Sequence, residues 1–262
     1  MPSKEVVTTS ANSSAPYKWS NLSTPKEISI ASSFTADEVT NIVEMSDAWK
    51  SALGEKEFFI YSDRTPEITN SISSMDSLLD DVMGVYKTTH WPPSLYRSAL
   101  AVTQIFARRY NIGSDSEFVK IEHADILVNY DNHRFDTTDS GPNYDLRTVI
   151  LHELGHFLGL NHKSEKSDKN ASVMYPSITS DINKRFPKDI DIADIASKYN
   201  ISLSSGVSPT ARAMVRRPSV KYEADPQDPG VMVKILFELR ADGECVHKMD
   251  GAIYERHHIS DP

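Results

Sequence analysis

Apolar residues recur along this chain in a few distinct rhythms, and each rhythm predicts an element. Ile28 and Ile30 flank Ser29 in the two-residue alternation of a short strand. Thr35 then precedes Val39, Ile42, Val43, Trp49 and Leu53 at helical spacing. Glu38 completes a capping box with Thr35, and Gly54 closes the helix. Phe58-Phe59-Ile60-Tyr61 and Val82-Met83-Gly84-Val85-Tyr86 predict two more strands, separated by a polar loop from Ser62 to Ser77. Ala99 to Phe106 is ambiguous between strand and helix by periodicity alone. Phe118 to Tyr130 contains a firmer strand, Ala124-Asp125-Ile126-Leu127-Val128. An acidic loop from Asp131 to Asp145 leads into a helix over Leu146 to Leu160. After another polar loop, Ile190, Ile192, Ala193, Ile195, Ala196 and Tyr199 predict a last helix.

The two ends break this order. Residues 1–16 are rich in Ser, Thr, Ala and Asn and offer almost nothing to bury, as expected of a flexible leader. Residues 204–230 carry four Pro and little apolar pattern, which predicts a linker or irregular wrap. Val231, Val233, Ile235, Phe237 and Leu239 then alternate strictly, a strand that should end in a turn near Asp242-Gly243. Strands mixed with about three helices give an α+β class. The expected division is a leader at 1–16, a catalytic-type domain at 17–203, and a C-terminal β-rich extension at 204–262 of unassigned role.

Bulk properties narrow the function. The 262 residues are 39% hydrophobic and 25% charged, ordinary values for a globular chain. A formal net charge of −9 with no basic stripe argues against nucleic acid as a partner. No apolar run approaches the roughly 20 residues of a membrane span. The single cysteine, Cys245, excludes a disulfide within the chain. The start, Met1-Pro2-Ser3-Lys4, lacks the apolar region of a signal peptide. The chain is then either cytosolic or a mature form with a replacement Met, and a secreted, periplasmic or cell-surface location is the expectation. Oligomeric state is left open.

The decisive segment is His152-Glu153-Leu154-Gly155-His156-Phe157-Leu158-Gly159-Leu160-Asn161-His162. Residues four apart share a helix face, so His152 and His156 can converge on one ion. Two imidazoles reaching one zinc need nitrogens about 3.3 Å apart. Glu153 lies about 100° further around the helix, where it can overlook an open coordination position rather than fill it. Gly159 tolerates the left-handed conformation that ends a helix and turns the chain, so His162 can return as a third ligand. Three neutral histidines leave the fourth position to water, the arrangement of a catalytic rather than a structural zinc.

These residues resemble the metzincin metallopeptidases, whose pattern is HExxHxxGxxH followed by a methionine turn. That turn is matched by Ser172-Val173-Met174-Tyr175-Pro176, and its Met-Tyr-Pro form is similar to the matrixins, including their short bacterial members. Ala124-Asp125-Ile126 and Asp189-Ile190-Asp191 extend the likeness. The resemblance implies a metzincin-like fold, a twisted mixed sheet with about three helices. It implies one catalytic Zn2+ on His152, His156 and His162, Glu153 as general base, and Met174 packed beneath the metal. Tyr175 and Pro176 would line a specificity pocket, and the partner would be a protein or peptide substrate. Three features depart from the family. Lys163 follows the third histidine where matrixins usually carry Ser, the loop to Met174 is longer, and no cysteine switch precedes the domain.

Weaker candidates surround this core. Asp131, Asn132, Asp136, Asp139 and Asp145 crowd one loop and could bind Ca2+, or serve as a solvated loop and helix cap. His133 could join a second zinc or stay exposed. Lys163, Lys166 and Lys169 could favour acidic substrates, and Cys245 beside His247 could cap the zinc. His257-His258 is read as surface. An extended substrate would pair with a strand edge placed near residues 124–138. Two other readings compete: a gluzincin, for which a helix bearing a downstream Glu is missing near His162, and a non-catalytic zinc-binding or adhesive module, which has no need of Glu153.

Overall fold

Burial on both faces explains why Ala99 to Phe106 resists classification. In the computed structural model this stretch is the first part of a 12-residue strand, Ala99–Tyr110, whose first nine residues are all buried. A strand covered on both sides needs no polar alternation, so period two disappears from its sequence. The structure describes residues 15–20, 22–62, 74–138, 141–163, 171–176, 178–180, 184–216, 221–241 and 244–258, without the side chains of 244, 245 and 252–258. Most of the leader, much of the 62–77 loop, Asp139, Lys166, Lys169 and Asp242-Gly243 lie outside these residues.

The strands are β1 (Tyr17–Trp19), β2 (Lys26–Ile30), β3 (Phe59–Tyr61), β4 (Gly84–Thr88), β5 (Ala99–Tyr110), β6 (Phe118–Asn129), β7 (Phe135–Asp136), β8 (Tyr144–Asp145), β9 (Val231–Arg240), β10 (Glu244–Met249) and β11 (Ala252–His258). The helices are α1 (Ala36–Ala52), α2 (Leu146–Phe157), α3 (Asp189–Tyr199) and a short α4 (Pro209–Met214). Nine strands form one mixed sheet in the order β11-β10-β9-β5-β6-β4-β2-β3, with β1 parallel to β6; β7 and β8 pair separately. This is the expected α+β, metzincin-like architecture, with α4 added inside the Pro-rich stretch.

Local chemistry starts each helix. Thr35 Oγ1 accepts from Glu38 N, while Glu38 Oε2 accepts from Thr35 N at 2.7 Å, the capping box read from the sequence. Asp145 caps α2, its Oδ2 accepting from Thr148 N at 2.9 Å. Helix α2 packs on β5 and β6, and α1 packs on α2. Trp49, Ile42, Val149, Ile150, Leu154 and Phe157 are fully buried in the seam. Side chains of this size stabilise the fold by about 1.5–3 kcal/mol each.

Two expectations need correction. The helix expected to run to Leu160 ends at Phe157, because Gly159 adopts φ +93° and Leu158 caps the turn. The substrate edge placed near residues 124–138 is not free over β6, since β5 and β4 pair with its two sides. The outer side of β5 is covered as well, by β9, over ten residue pairs from Ala99↔Arg240 to Arg109↔Val231. The C-terminal strands thus continue the central sheet.

Candidate metal centre

The end of α2 is a Schellman turn. Gly159 N donates to His156 O at 2.8 Å and Leu160 N to Gly155 O at 2.9 Å. Carbonyls left over at this terminus are taken by aromatic donors from elsewhere. Trp19 Nε1 donates to Phe157 O at 2.8 Å, Tyr199 Oη to Leu158 O at 2.8 Å, and Tyr17 Oη to Leu160 O. A Cβ at position 159 would stand 2.8 Å from Tyr17 O, so Gly is required by packing as well as by φ. At position 155 a Cβ would stand 2.3 Å from Met174 Sδ, so Gly155 lets the methionine turn close against the helix.

This turn brings three imidazoles to one point. The Nε2 atoms of His152 and His156 are 3.1 Å apart, and each is 2.9 Å from His162 Nε2. Separations near 3 Å are close to the about 3.3 Å spanned by ligands of a tetrahedral zinc. The opposite nitrogens fix the tautomers. His152 Nδ1 donates to Val173 O and His156 Nδ1 to Leu160 O, both at 2.8 Å. A carbonyl only accepts, so these Nδ1 atoms carry the proton and the Nε2 lone pairs face the shared point. His162 Nδ1 meets His247 Nε2 on β10.

Burial holds the histidines in their ligand form. His152, His156 and Glu153 expose nothing, and His162 only 8%. Desolvation pushes the His152 imidazole down to about 3 and His156 well below its usual value. The same desolvation pushes the Glu153 carboxyl up to about 8, against a hydrogen bond from Thr103 Oγ1 to Oε2 at 2.5 Å. Glu153 Oε1 has no partner among the described residues. Three convergent Nε2 atoms beside a carboxyl whose Oε1 has no partner among the described residues fit a divalent metal such as zinc. No other group of three metal-capable side chains gathers among the described residues.

Comparisons with known proteins agree with this geometry. Residues 101–200 match the matrixin family. Over these residues the chain is matrixin-like. Human neutrophil collagenase is 31% identical to it over 122 residues, 46% of this chain but 22% of the collagenase, so the chain spans about a fifth of that relative's length.

Around the matrixin-like triad, the methionine turn is tied down by one buried carboxylate. Asp191 accepts from Ser172 Oγ at 2.5 Å, Val173 N at 2.9 Å and Lys188 N at 3.0 Å, and Ser172 Oγ in turn accepts from Met174 N at 2.9 Å. Met174, Tyr175 and Pro176 are all buried. Lys163 pairs with Asp194 at 2.5 Å. In the acidic loop, Asp131 accepts from Trp91 N, Asp136 from Asn143, and Asp145 pairs with Arg185 at 2.7 Å. His133 Nε2 sits 3.1 Å from Arg97 O. The side chains of Cys245 and His257-His258 lie outside the described residues.

Sequence reasoning missed Thr103, Phe237 and the way His247 engages the triad. Phe237 stacks on His156, with ring centroids 4.2 Å apart and planes 11° from parallel. The only signal was the strict alternation of β9, which marks Phe237 as inward-facing without saying toward what.

Proposed function

We propose that this chain is a zinc-dependent endopeptidase in which His152, His156 and His162 hold the metal and Glu153 is the general base. The observation that carries this reading is the triangle of Nε2 atoms, with the tautomers of His152 and His156 set by carbonyls, beside a carboxyl oxygen with no partner among the described residues. Zinc held there would supply a Lewis acid that polarises a scissile carbonyl and acidifies water. Glu153 Oε1 takes the proton of the attacking water and delivers it to the leaving amine nitrogen. The charge of a metal held at the triad would favour the carboxylate form of Glu153, offsetting the desolvation that raises its pKa. Thr103 restrains Oε2, so the free oxygen keeps its aim. Met174 supports the triad from the side of Gly155, and Tyr175-Pro176 continue as the wall of a substrate pocket.

A second reading, a zinc-binding module without turnover, is favoured by the burial of the triad, of which only His162 keeps 8% exposure. Cleavage of a quenched peptide and zinc content, measured together, separate the two. His162→Ala should lose both zinc and hydrolysis. Glu153→Gln should keep stoichiometric zinc and lose about 100- to 10,000-fold in rate. A full chain that holds zinc yet cleaves no faster than Glu153→Gln after the site is opened would favour the binding module.

A further inference from the structure

The proposed site is closed by the protein's own C-terminal hairpin. Strand β9 runs antiparallel along the edge of β5, the strand whose Thr103 touches Glu153, and places Phe237 directly opposite Thr103. Phe237 covers one face of the His156 ring and lies within ring-contact distance of His162 and His247. Strand β10 adds His247, fully buried against His162. On the other face, Glu238 pairs with Lys248 at 2.5 Å, and the Arg240 guanidinium lies 3.3 Å over the Tyr96 ring, fixing the hairpin to the loop before β5. A polypeptide needs an open strand edge and a path to the metal, and β9–β10 occupies both.

We propose that the β9–β10 hairpin is an intramolecular occupant of the peptide cleft, which must part from β5 before a substrate can enter. This rests on the zinc-peptidase reading above. The same main-chain pairing that would bind a substrate strand binds β9, so release is a competition between strands. The linker at 221–230, anchored where Asp228 Oδ2 accepts from Asn111 N at 2.7 Å, lies next to the first residues of β9. Cutting or loosening that segment frees one end of the strand.

A reversible crosslink in the full chain tests this. Gln104 and Leu236 are paired across β5 and β9 on the face away from Phe237, so Gln104→Cys with Leu236→Cys, in a Cys245→Ser background, can be closed by oxidation. Peptide cleavage and the rate of zinc stripping by a chelator are measured in both redox states, beside Phe237→Ala without the crosslink. The expected result is at least a ten-fold loss of cleavage and slower zinc release on oxidation, reversed by a phosphine reductant, with Phe237→Ala faster than the parent in both. Equal cleavage and equal zinc release in the two redox states would overturn the proposal. Zinc release that responds to the crosslink, with no cleavage in any state, would uphold the occluding hairpin and sink the peptidase reading. Absence of bound zinc in every form would sink both.

Discussion

The two halves of the candidate metal centre are assembled by different kinds of contact. From His152 to His162 everything is local: a helix face, a glycine-terminated turn and a return within ten residues. The hairpin that covers it comes from far along the chain, with Phe237 and His247 reaching His156 and His162 through sheet pairing. Local spacing can bring ligands together but leaves their other faces to whatever the sheet delivers. Here the sheet delivers a strand of the same chain. The lesson is that an intact ligand set and an accessible ligand set are separate properties, set by separate parts of the molecule.

The sharpest way to break the comparison is to remove the buried acid that both halves enclose. With Glu153 raised to about 8 in the metal-free fold, its contribution to stability is fully present below its unfolded value near 4.5 and is lost as pH rises through 8. Glu153→Gln should therefore gain on the parent across this window, by roughly 5 kcal/mol at the top of it. Urea titrations of the chelated proteins at pH 4, 6 and 9 check this, and a constant gap would refute it.

Next in size is the local half. Gly159→Ala forces φ +93° on a residue with a Cβ and drives that Cβ toward Tyr17 O, so it should cost about 3 kcal/mol and weaken zinc binding with it. Calorimetry with and without zinc would read both. The smallest effect belongs to the hairpin. Lys248→Met removes the close ion-pair partner of the buried Glu238 while Arg240 stays at 3.8 Å, a cost of about 2 kcal/mol. Amide exchange should quicken in β9 and β10, while zinc affinity changes less than three-fold. A parallel loss of zinc affinity would mean the two halves are one cooperative unit.

Legibility followed the range of the interactions. The Thr35–Glu38 capping box, the break at Gly159 and the converging histidines are all written within a few residues, and each is present as read. Strand β5 was obscure because burial on both faces erased its alternation. The cleft edge was misplaced onto β6 because nothing in a strand's own residues says which neighbours flank it. Asp189-Ile190-Asp191 was noticed as a pattern, but only packing made Asp191 the clamp of the methionine turn.

The amino-acid sequence by itself determined the donor set: three imidazoles at helical and turn spacing, a carboxyl beside them, and the glycine that lets the chain double back. Only tertiary structure decided their protonation, through carbonyls of Val173 and Leu160 and the loss of water around them, and their accessibility, through β9. Spacing fixes what one element can present, because backbone geometry is short-ranged. Which side chain lies against it depends on strand order, which no local pattern encodes.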